Sequence, residues 1–271
     1  MLVSIGATHT EKIPPENFIT VSQDGQTLVQ AYVLPQEMPL LYPQRPLRIF
    51  FSIPAAGLIR HAAFGSVLGR SQTIVQEHRQ PAHLYTEIRA DDLESIEFYR
   101  SAGFDLTDQL LSVRVLGLKE SVTLPAGIHP SIAPVSLDSP ENAAAFLARM
   151  NAFRLRPLQM QTLMEQRSYP LFAAWALTLS SEQVGELLCF GQGTQAKLVH
   201  MYILPKYRQM GLAKYFLNEA ITWLAAQGVR TLRADVLTAL PEQCALANCF
   251  QCDKQQKEWI YPGLNLYLPQ I

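Results

Sequence analysis

The residues best suited to chemistry lie between positions 198 and 228, where an apolar segment leads into a basic turn and then an amphipathic segment. A helix that starts after such a turn presents unpaired backbone N–H groups, and these groups and the helix dipole favour a phosphate. Gly211 allows close backbone approach, and Ala213 keeps the first helical turn slim. Lys206, Arg208 and Lys214 add positive charge, so the sequence predicts an anion site at this turn.

Candidate proton-transfer groups lie on the neighbouring predicted strands. His200 and Tyr202 alternate onto one face of a strand at 198–204, and Glu186 lies on the preceding strand. The intrinsic pKa of an imidazole suits a general base that takes a proton from an amine, so His200 is the candidate base. A single histidine on a strand is more often structural, and this alternative stays open.

The turn resembles the pyrophosphate-binding motif of the GNAT superfamily of N-acetyltransferases, (Gln/Arg)-x-x-Gly-x-(Gly/Ala), which Arg208, Gly211 and Ala213 match. The resemblance implies that acetyl-CoA is the co-substrate and that backbone groups of Met201 and Ile203 pair with its pantetheine amides. It also implies a set of cofactor-binding turn residues, namely Arg208, Gln209, Met210, Gly211, Leu212, Ala213 and Lys214. The alternative is a helix start whose small residues serve packing alone.

A second family-like segment lies in the first half of the chain, where Phe98-Tyr99 is followed by Gly103-Phe104. In the family such a tyrosine often protonates the leaving thiolate of CoA, so the resemblance implies Tyr99 as a general acid; packing is the alternative. In the second half the same position falls on Cys249 or Phe250. Cys249 is the candidate acid there, because a thiol has a reference pKa of about 8.5.

Two similar halves are expected to position these residues. Each half runs hairpin, strand, helix, strand, short helix, strand, and the second half has a further strand and two helices in front. The resemblance implies an α/β (α+β) fold of two GNAT-like domains, each a mixed, largely antiparallel sheet flanked by helices. We assign 1–117 to a shortened, degenerate domain, 118–128 to a linker and 129–271 to a complete acetyl-CoA-binding domain.

Particular elements follow from the local patterns. Asp24-Gly25 between two β-rich runs predicts a hairpin. Helices are predicted at 61–78 and 209–227, and a short helix at 242–250. Closing strands are predicted at 110–115 and 259–268.

Composition excludes several classes of function. The formal net charge is −1 and 17% of residues are charged, so no overall field favours nucleic acid or an anionic membrane. The N-terminus lacks a secretory pattern, and the four cysteines lack a paired framework, so we expect a cytoplasmic protein with reduced thiols. Cys249 and Cys252 form a C-x-x-C without further ligands nearby, and no metal site is expected.

The functional expectation is an acetyl-CoA-dependent N-acetyltransferase that acts on an amine of a small molecule or amino-acid-like substrate. One alternative is a non-catalytic tandem GNAT module that binds acetyl-CoA or another ligand. The other is a structural protein that keeps only the fold. The sequence does not identify the acceptor amine, and it leaves a homo-oligomer open.

Overall fold

The chain divides into two compact units. A computed structural model describes residues 1–6, 13–118 and 122–268. The first unit comprises Met1–Gln109 and Glu258–Ile271, and the second comprises Leu110–Lys257. Over the described residues there are six α-helices and two sheets, with mixed but mostly antiparallel pairing. The predicted α/β (α+β) fold class is therefore confirmed.

The first unit is built on a sheet in which β1, β2, β3, β4 and β5 lie in chain order. Its elements are β1 (Leu2–Ile5), β2 (Phe18–Gln23), β3 (Gln26–Glu37), β4 (Leu47–Ser52), α1 (Gly57–His78), β5 (Ala82–Tyr85), β6 (Ile88–Arg89) and α2 (Leu93–Ser101). Asp24 and Gly25 join β2 to β3 with positive φ angles of 52° and 79°, as a tight hairpin requires. β4 and β5 run parallel, with α1 between them in the chain.

The second unit has a sheet with the order β13-β7-β12-β11-β10-β9-β8. Its elements are β7 (Gln109–Leu118), β8 (Ser131–Pro134), α3 (Pro140–Asn151), α4 (Met160–Arg167), β9 (Leu171–Leu179), β10 (Glu182–Gln192), β11 (Gln195–Ile203), α5 (Leu212–Ala226), β12 (Thr231–Leu237), α6 (Pro241–Asn248) and β13 (Phe250–Ile260). The end of β13, from Glu258, belongs to the first unit. β11 and β12 run parallel, with α5 between them in the chain.

Each sheet includes a strand from the opposite half of the sequence. β7, which was predicted to close the first half, pairs antiparallel with β12, with Leu110 opposite Leu237 and Val115 opposite Leu232. β14 (Gly263–Leu266) lies near the C-terminus but pairs antiparallel with β5. The compact units therefore have different boundaries from the predicted domains 1–117 and 129–271. A strand pattern identifies a strand but not its distant partner, which explains the difference.

The buried face of α5 anchors the second unit. Phe216, Leu217, Ala220 and Leu224 recur at helical spacing and are at most 3% exposed. They belong to one hydrophobic core with side chains of β7, β10, β11 and β12. This packing fixes the N-terminal end of α5 relative to the strands on either side of it.

Three elements differ from the sequence prediction. α1 begins at Gly57, four residues before the predicted start at His61. α5 begins at Leu212 rather than Gln209, because Gln209 and Gly211 have positive φ angles of 65° and 79° that interrupt a helix. α6 ends at Asn248 and a strand starts at Phe250, where a helix was predicted. That strand is polar over 253–258 and lacks the alternation that predicts strands.

A chain that ends at Lys257 is expected to lose the folded first unit. The deletion removes β14 and also Ile260, which is 5% exposed in the core of this unit. Amide hydrogen exchange should show that β5 loses protection. A chain that ends at Tyr267 keeps β14 and is the control. Equal protection of β5 in the two truncated chains would contradict the assignment of β14 to the first unit.

Candidate functional site

The parallel strands β11 and β12 part halfway along their length. Their register runs from Gln195 opposite Thr231 to Leu198 opposite Ala234, although β11 continues to Ile203. The pairing of β10 with β11 is irregular at the same level, where Val199 is the extra residue between Leu198 and His200. A bulge of this kind bends a strand and re-aims its side chains. The result is a V-shaped gap between β11 and β12.

A narrow cavity of about 80 Å³ lies in this gap. Strand residues form two of its walls, and α5, α6, β7 and β13 contribute the rest. The lining residues are Val113, Val115, Leu198, Val199, His200, Met201, Leu217, Ala234, Asp235, Val236, Gln243, Leu246, Ala247, Phe250 and Cys252. The cavity is mostly apolar, with a few polar groups that include His200 and Asp235.

The backbone of β11 faces the gap at alternate residues. The Val199 carbonyl accepts a hydrogen bond from Arg154 Nη1 at 2.8 Å, and the Ile203 carbonyl accepts one from Arg208 Nε at 3.2 Å. Leu204 instead donates its N–H to Val184 of β10 at 2.8 Å. Since strand groups alternate, Met201 directs its N–H and C=O to the same side as Val199 and Ile203. Met201 and Ile203 thus lie at the open edge, with the Ile203 carbonyl already bonded.

The turn after β11 presents the N-terminus of α5. A short 3₁₀ helix at Pro205–Tyr207 precedes it, and Gly211 occupies the N-cap position with φ of 79°. Tyr215 donates the first helical N–H bond to the Gly211 carbonyl at 3.0 Å. The N–H groups of Leu212, Ala213 and Lys214 come before it and have no partner within the helix. These three amides form the anion-attracting part of the turn.

Two of the three basic side chains at the turn, those of Lys206 and Arg208, are held by carboxylates. Arg208 Nη1 lies 3.0 Å from Glu242 Oε1 of α6. Lys206 forms an ion pair with Glu182, and the Tyr207 hydroxyl donates a hydrogen bond to the same carboxylate. Arg208 therefore fixes the turn against β11 and α6. Attraction for an anion rests more on the backbone amides than the sequence alone suggested.

Gly211 also lies beside the segment that joins the two predicted domains. A Cβ on Gly211 would lie 3.4 Å from Leu124 Cδ2 and 3.9 Å from the Thr123 carbonyl oxygen. Met210, the residue before it, packs partly buried against the core of the second unit, whereas Gln209 is exposed. The backbone angle thus favours glycine at this position independently of a ligand, whereas the neighbours would leave room for a Cβ.

His200 is the titratable group that lines the gap without a hydrogen-bond partner. Its Nε2 is buried, and no described residue bonds to it. Burial, and to a lesser extent the positive charge of Arg154, lower the pKa of His200 to about 3. The imidazole is therefore neutral at physiological pH and has a nitrogen free to accept a proton.

Glu186 and Tyr202 form a separate buried network on the same face of the sheet. Glu186 is fully buried, accepts a hydrogen bond from the Tyr202 hydroxyl at 2.8 Å and pairs with Arg149 at 2.6 Å. Phe153 stacks on the Tyr202 ring with centroids 4.2 Å apart. Burial and the neighbouring Glu186 charge raise the pKa of Tyr202. Both oxygens of Glu186 are occupied, whereas the buried Nε2 of His200 has no described partner.

The two predicted acids do not line the cavity. Tyr99 is 3% exposed in the core of the first unit, among Phe51, Phe64 and Phe104, and burial raises its pKa to about 12. Cys249 caps α6, and its thiol donates a hydrogen bond to the Ala245 carbonyl at 3.3 Å. In their place, Phe250 and Cys252 line the cavity. Sequence analysis missed Cys252 because the polar start of β13 has no strand pattern.

The first unit has a different arrangement at the corresponding helix. The N–H of Gly57, the first residue of α1, donates a hydrogen bond to Glu94 Oε1 at 3.3 Å. Arg60 of α1 lies 3.9 Å from the same oxygen. A carboxylate of the protein itself therefore occupies the position where an anionic ligand would meet the helix.

Comparison with known proteins identifies the family of the second unit. Residues 150–248 match the family described as Acetyltransferase (GNAT) family. The chain contains a GNAT acetyltransferase domain. The recognition from the turn motif is thus confirmed, and the match spans the V-shaped gap, the turn and α6. Membership supports an acyl-transfer function for this GNAT domain.

Solved structures show the same fold at low identity. Eis1 from Mycobacterium abscessus is 12% identical, with a TM-score of 0.53 over 93% of this chain and 65% of that chain. A protein from Enterococcus faecalis V583, described as a probable N-acyltransferase, is 11% identical, with a TM-score of 0.51 over 91% of this chain and 62% of that one. The chain thus spans just under two thirds of both. A search of curated proteins gave no match.

Two further findings concern the described residues alone. None of their helices combines the length and apolar character needed to cross a membrane. Among the same residues, no group of three or more His, Cys, Asp or Glu side chains is arranged to hold a metal ion.

The lowered pKa of His200 predicts how stability depends on pH. The unfolded chain binds a proton at His200 below about pH 6.5, whereas the folded chain does so only near pH 3. The stability contribution of neutral His200 is therefore lost as the pH falls from 6.5 towards 3. Urea unfolding from pH 7 to pH 4 should show a steeper loss of stability for the wild type than for His200→Gln. Parallel curves would contradict a buried neutral imidazole.

Proposed function

We propose that the GNAT domain transfers an acetyl group from acetyl-CoA to an amine of a small molecule or amino-acid-like substrate. The observation that carries the proposal is the parting of β11 and β12 next to the N-terminus of α5. A strand with open backbone groups and a helix end with open amides suit the two polar parts of a CoA molecule, its pantetheine amides and its pyrophosphate. The mostly apolar cavity between them suits the thioester end.

The residues of the turn and of β11 fit such a ligand. The amides of Leu212, Ala213 and Lys214 would bind the pyrophosphate, with no helical bonds to give up. Met201 would pair with a pantetheine amide as an added strand does, because its backbone faces the gap. Acetyl-CoA would supply an activated acyl carbonyl. Alignment of that carbonyl with the amine accounts for much of the rate in this kind of transfer.

His200 is proposed as the base. Its unpartnered Nε2 would take the proton that the amine loses when the new C–N bond forms and the C–S bond breaks. The lowered pKa keeps His200 unprotonated over the physiological range, and it also makes this imidazole a weaker base than one in water. The departing thiolate would take its proton from water or from the Cys252 thiol, which lines the cavity.

A second candidate function is binding of acetyl-CoA without turnover. The observation in its favour is that no phenol lines the described cavity, since Phe250 lies where the family motif would place one. Release of CoA, measured with a thiol reagent against a panel of amines, distinguishes the two functions. Binding of acetyl-CoA without CoA release for any amine would favour the second.

Gly211→Glu is expected to lower the affinity for acetyl-CoA at least about 100-fold, because it places bulk and negative charge at the amides that bind the pyrophosphate. The φ of 79° at Gly211 means that the change also strains the backbone. Gly228→Glu is the matched control, since Gly228 lies after the other end of α5 with φ of 86° and nothing within 4 Å. Calorimetry should show a lost site in the first variant and a retained one in the second. Unchanged affinity in Gly211→Glu would remove the basis of the proposal.

His200→Gln is expected to lower kcat about 100-fold at pH 7.5 and to leave acetyl-CoA affinity within about twofold, because general-base catalysis contributes at least about this factor. His129→Gln, at an exposed position just before β8, is the control. Steady-state CoA release and calorimetry measure the two quantities. An unchanged kcat would mean that His200 lines the cavity but does not act as the base.

A further inference from the structure

Three cations lie side by side across the sheet of the second unit. Lys197 is opposite Arg233 in the pairing of β11 with β12, and Arg233 is opposite Arg114 in the pairing of β12 with β7. Directly paired residues project from the same face, with Cβ atoms about 5 Å apart. We refer to Lys197, Arg233 and Arg114 as the cation row. Like charges in this arrangement repel, so the row is a site where an anion is favoured.

Lys197 and Arg114 of the cation row are each engaged by other groups. Asp235 Oδ2 lies 2.8 Å from Lys197 Nζ. Asp235 follows Arg233 by two residues on β12, so it projects from the same face. The Asp235 charge also acts on Arg154, whose pKa is lowered by burial. Among the described residues, Arg233 is exposed and has no ion pair.

An open depression of about 410 Å³ lies against the cation row, within the usual size of a small-molecule site. Lys197 and Arg233 line it. Tyr169 and Phe190 form an aromatic wall, with ring centroids 4.8 Å apart. The depression thus combines cationic and apolar surfaces, as a site for a small organic anion requires.

The depression and the cavity in the V-shaped gap meet at one ion pair, between Lys197 and Asp235. Lys197 lines the depression, whereas its partner Asp235 lines the cavity that also contains His200. A molecule with its anionic group on the cation row would therefore lie beside the wall of the cavity.

From this geometry we infer that the depression is the acceptor site and that the acceptor is an amine that carries an anionic oxyacid group, a carboxylate or a phosphate. The inference rests on the proposed acetyl transfer. Arg233 would bind two oxygens of this group through its planar guanidinium, a geometry that suits both anions. Arg233 is a specificity residue in this scheme, and proton transfer remains with His200.

The test compares amines that differ only in the anionic group. Glycine, 4-aminobutanoate and 6-aminohexanoate are matched with methylamine, propylamine and pentylamine, and 2-aminoethyl phosphate with ethylamine. CoA release is measured for each with the wild type. For at least one chain length, the anionic amine should have a kcat/KM at least about tenfold higher than its matched neutral amine. A factor of this order is expected for a charge-assisted hydrogen bond. The preferred anion identifies carboxylate or phosphate.

Arg233→Gln should raise KM for the anionic amines about tenfold and so abolish the preference. The kcat/KM for the neutral amines should stay unchanged. Arg230→Gln, at another exposed arginine just before β12, is the control and should keep the preference. Equal kcat/KM for anionic and neutral amines in the wild type would overturn the inference. An equal fall for both classes in Arg233→Gln would also overturn it.

The result separates this inference from the proposed function. CoA release that shows no preference for anionic amines would refute the acceptor class and leave acetyl transfer intact. If no amine gives CoA release, the proposed transfer fails, and calorimetry with the same anionic amines still tests the site. Binding that Arg233→Gln weakens about tenfold would then support the depression as an anion site. No binding would overturn it.

Discussion

The parting of β11 from β12 is the constraint on which the candidate site depends. If the two strands stayed paired beyond Leu198 and Ala234, their backbone groups would bond to each other and no gap would form. The irregular pairing at Val199 and the bonds from Arg154 and Arg208 to β11 carbonyls keep the strands apart. Side chains thus satisfy backbone groups that a neighbouring strand would otherwise pair with.

In the proposed function, the same parting places the cofactor-binding turn and the acceptor site on different sides of β11. One side of β11 faces α5, whose N-terminal amides suit a phosphate. The other side carries His200 and, beyond the bulge, Lys197 beside the open depression. A single strand therefore connects the proposed cofactor-binding turn, the proposed base and the proposed acceptor site.

Local chemistry made the turn and its helix predictable from sequence, while long-range pairing did not. Gly211 and Ala213 identified the turn because backbone geometry there requires small residues, and the apolar face of α5 follows a helical period. The cation row was not predictable, because Arg114, Lys197 and Arg233 are far apart in sequence and meet only through strand register. Cys252 was missed for a similar reason, since β13 lacks the alternation that marks a strand.

The long-range pairing of β7 with β12 and of β14 with β5 also affects how the chain folds during synthesis. β7 is synthesised before its pairing partner β12, which lies more than a hundred residues later in the sequence. β14 likewise pairs with β5, although the two strands are far apart in the sequence. Pairings over such sequence separations form slowly, because a long loop has to close first. Each sheet therefore reaches its full width only after its distant strand has been made, and the N-terminal half has exposed strand edges until then.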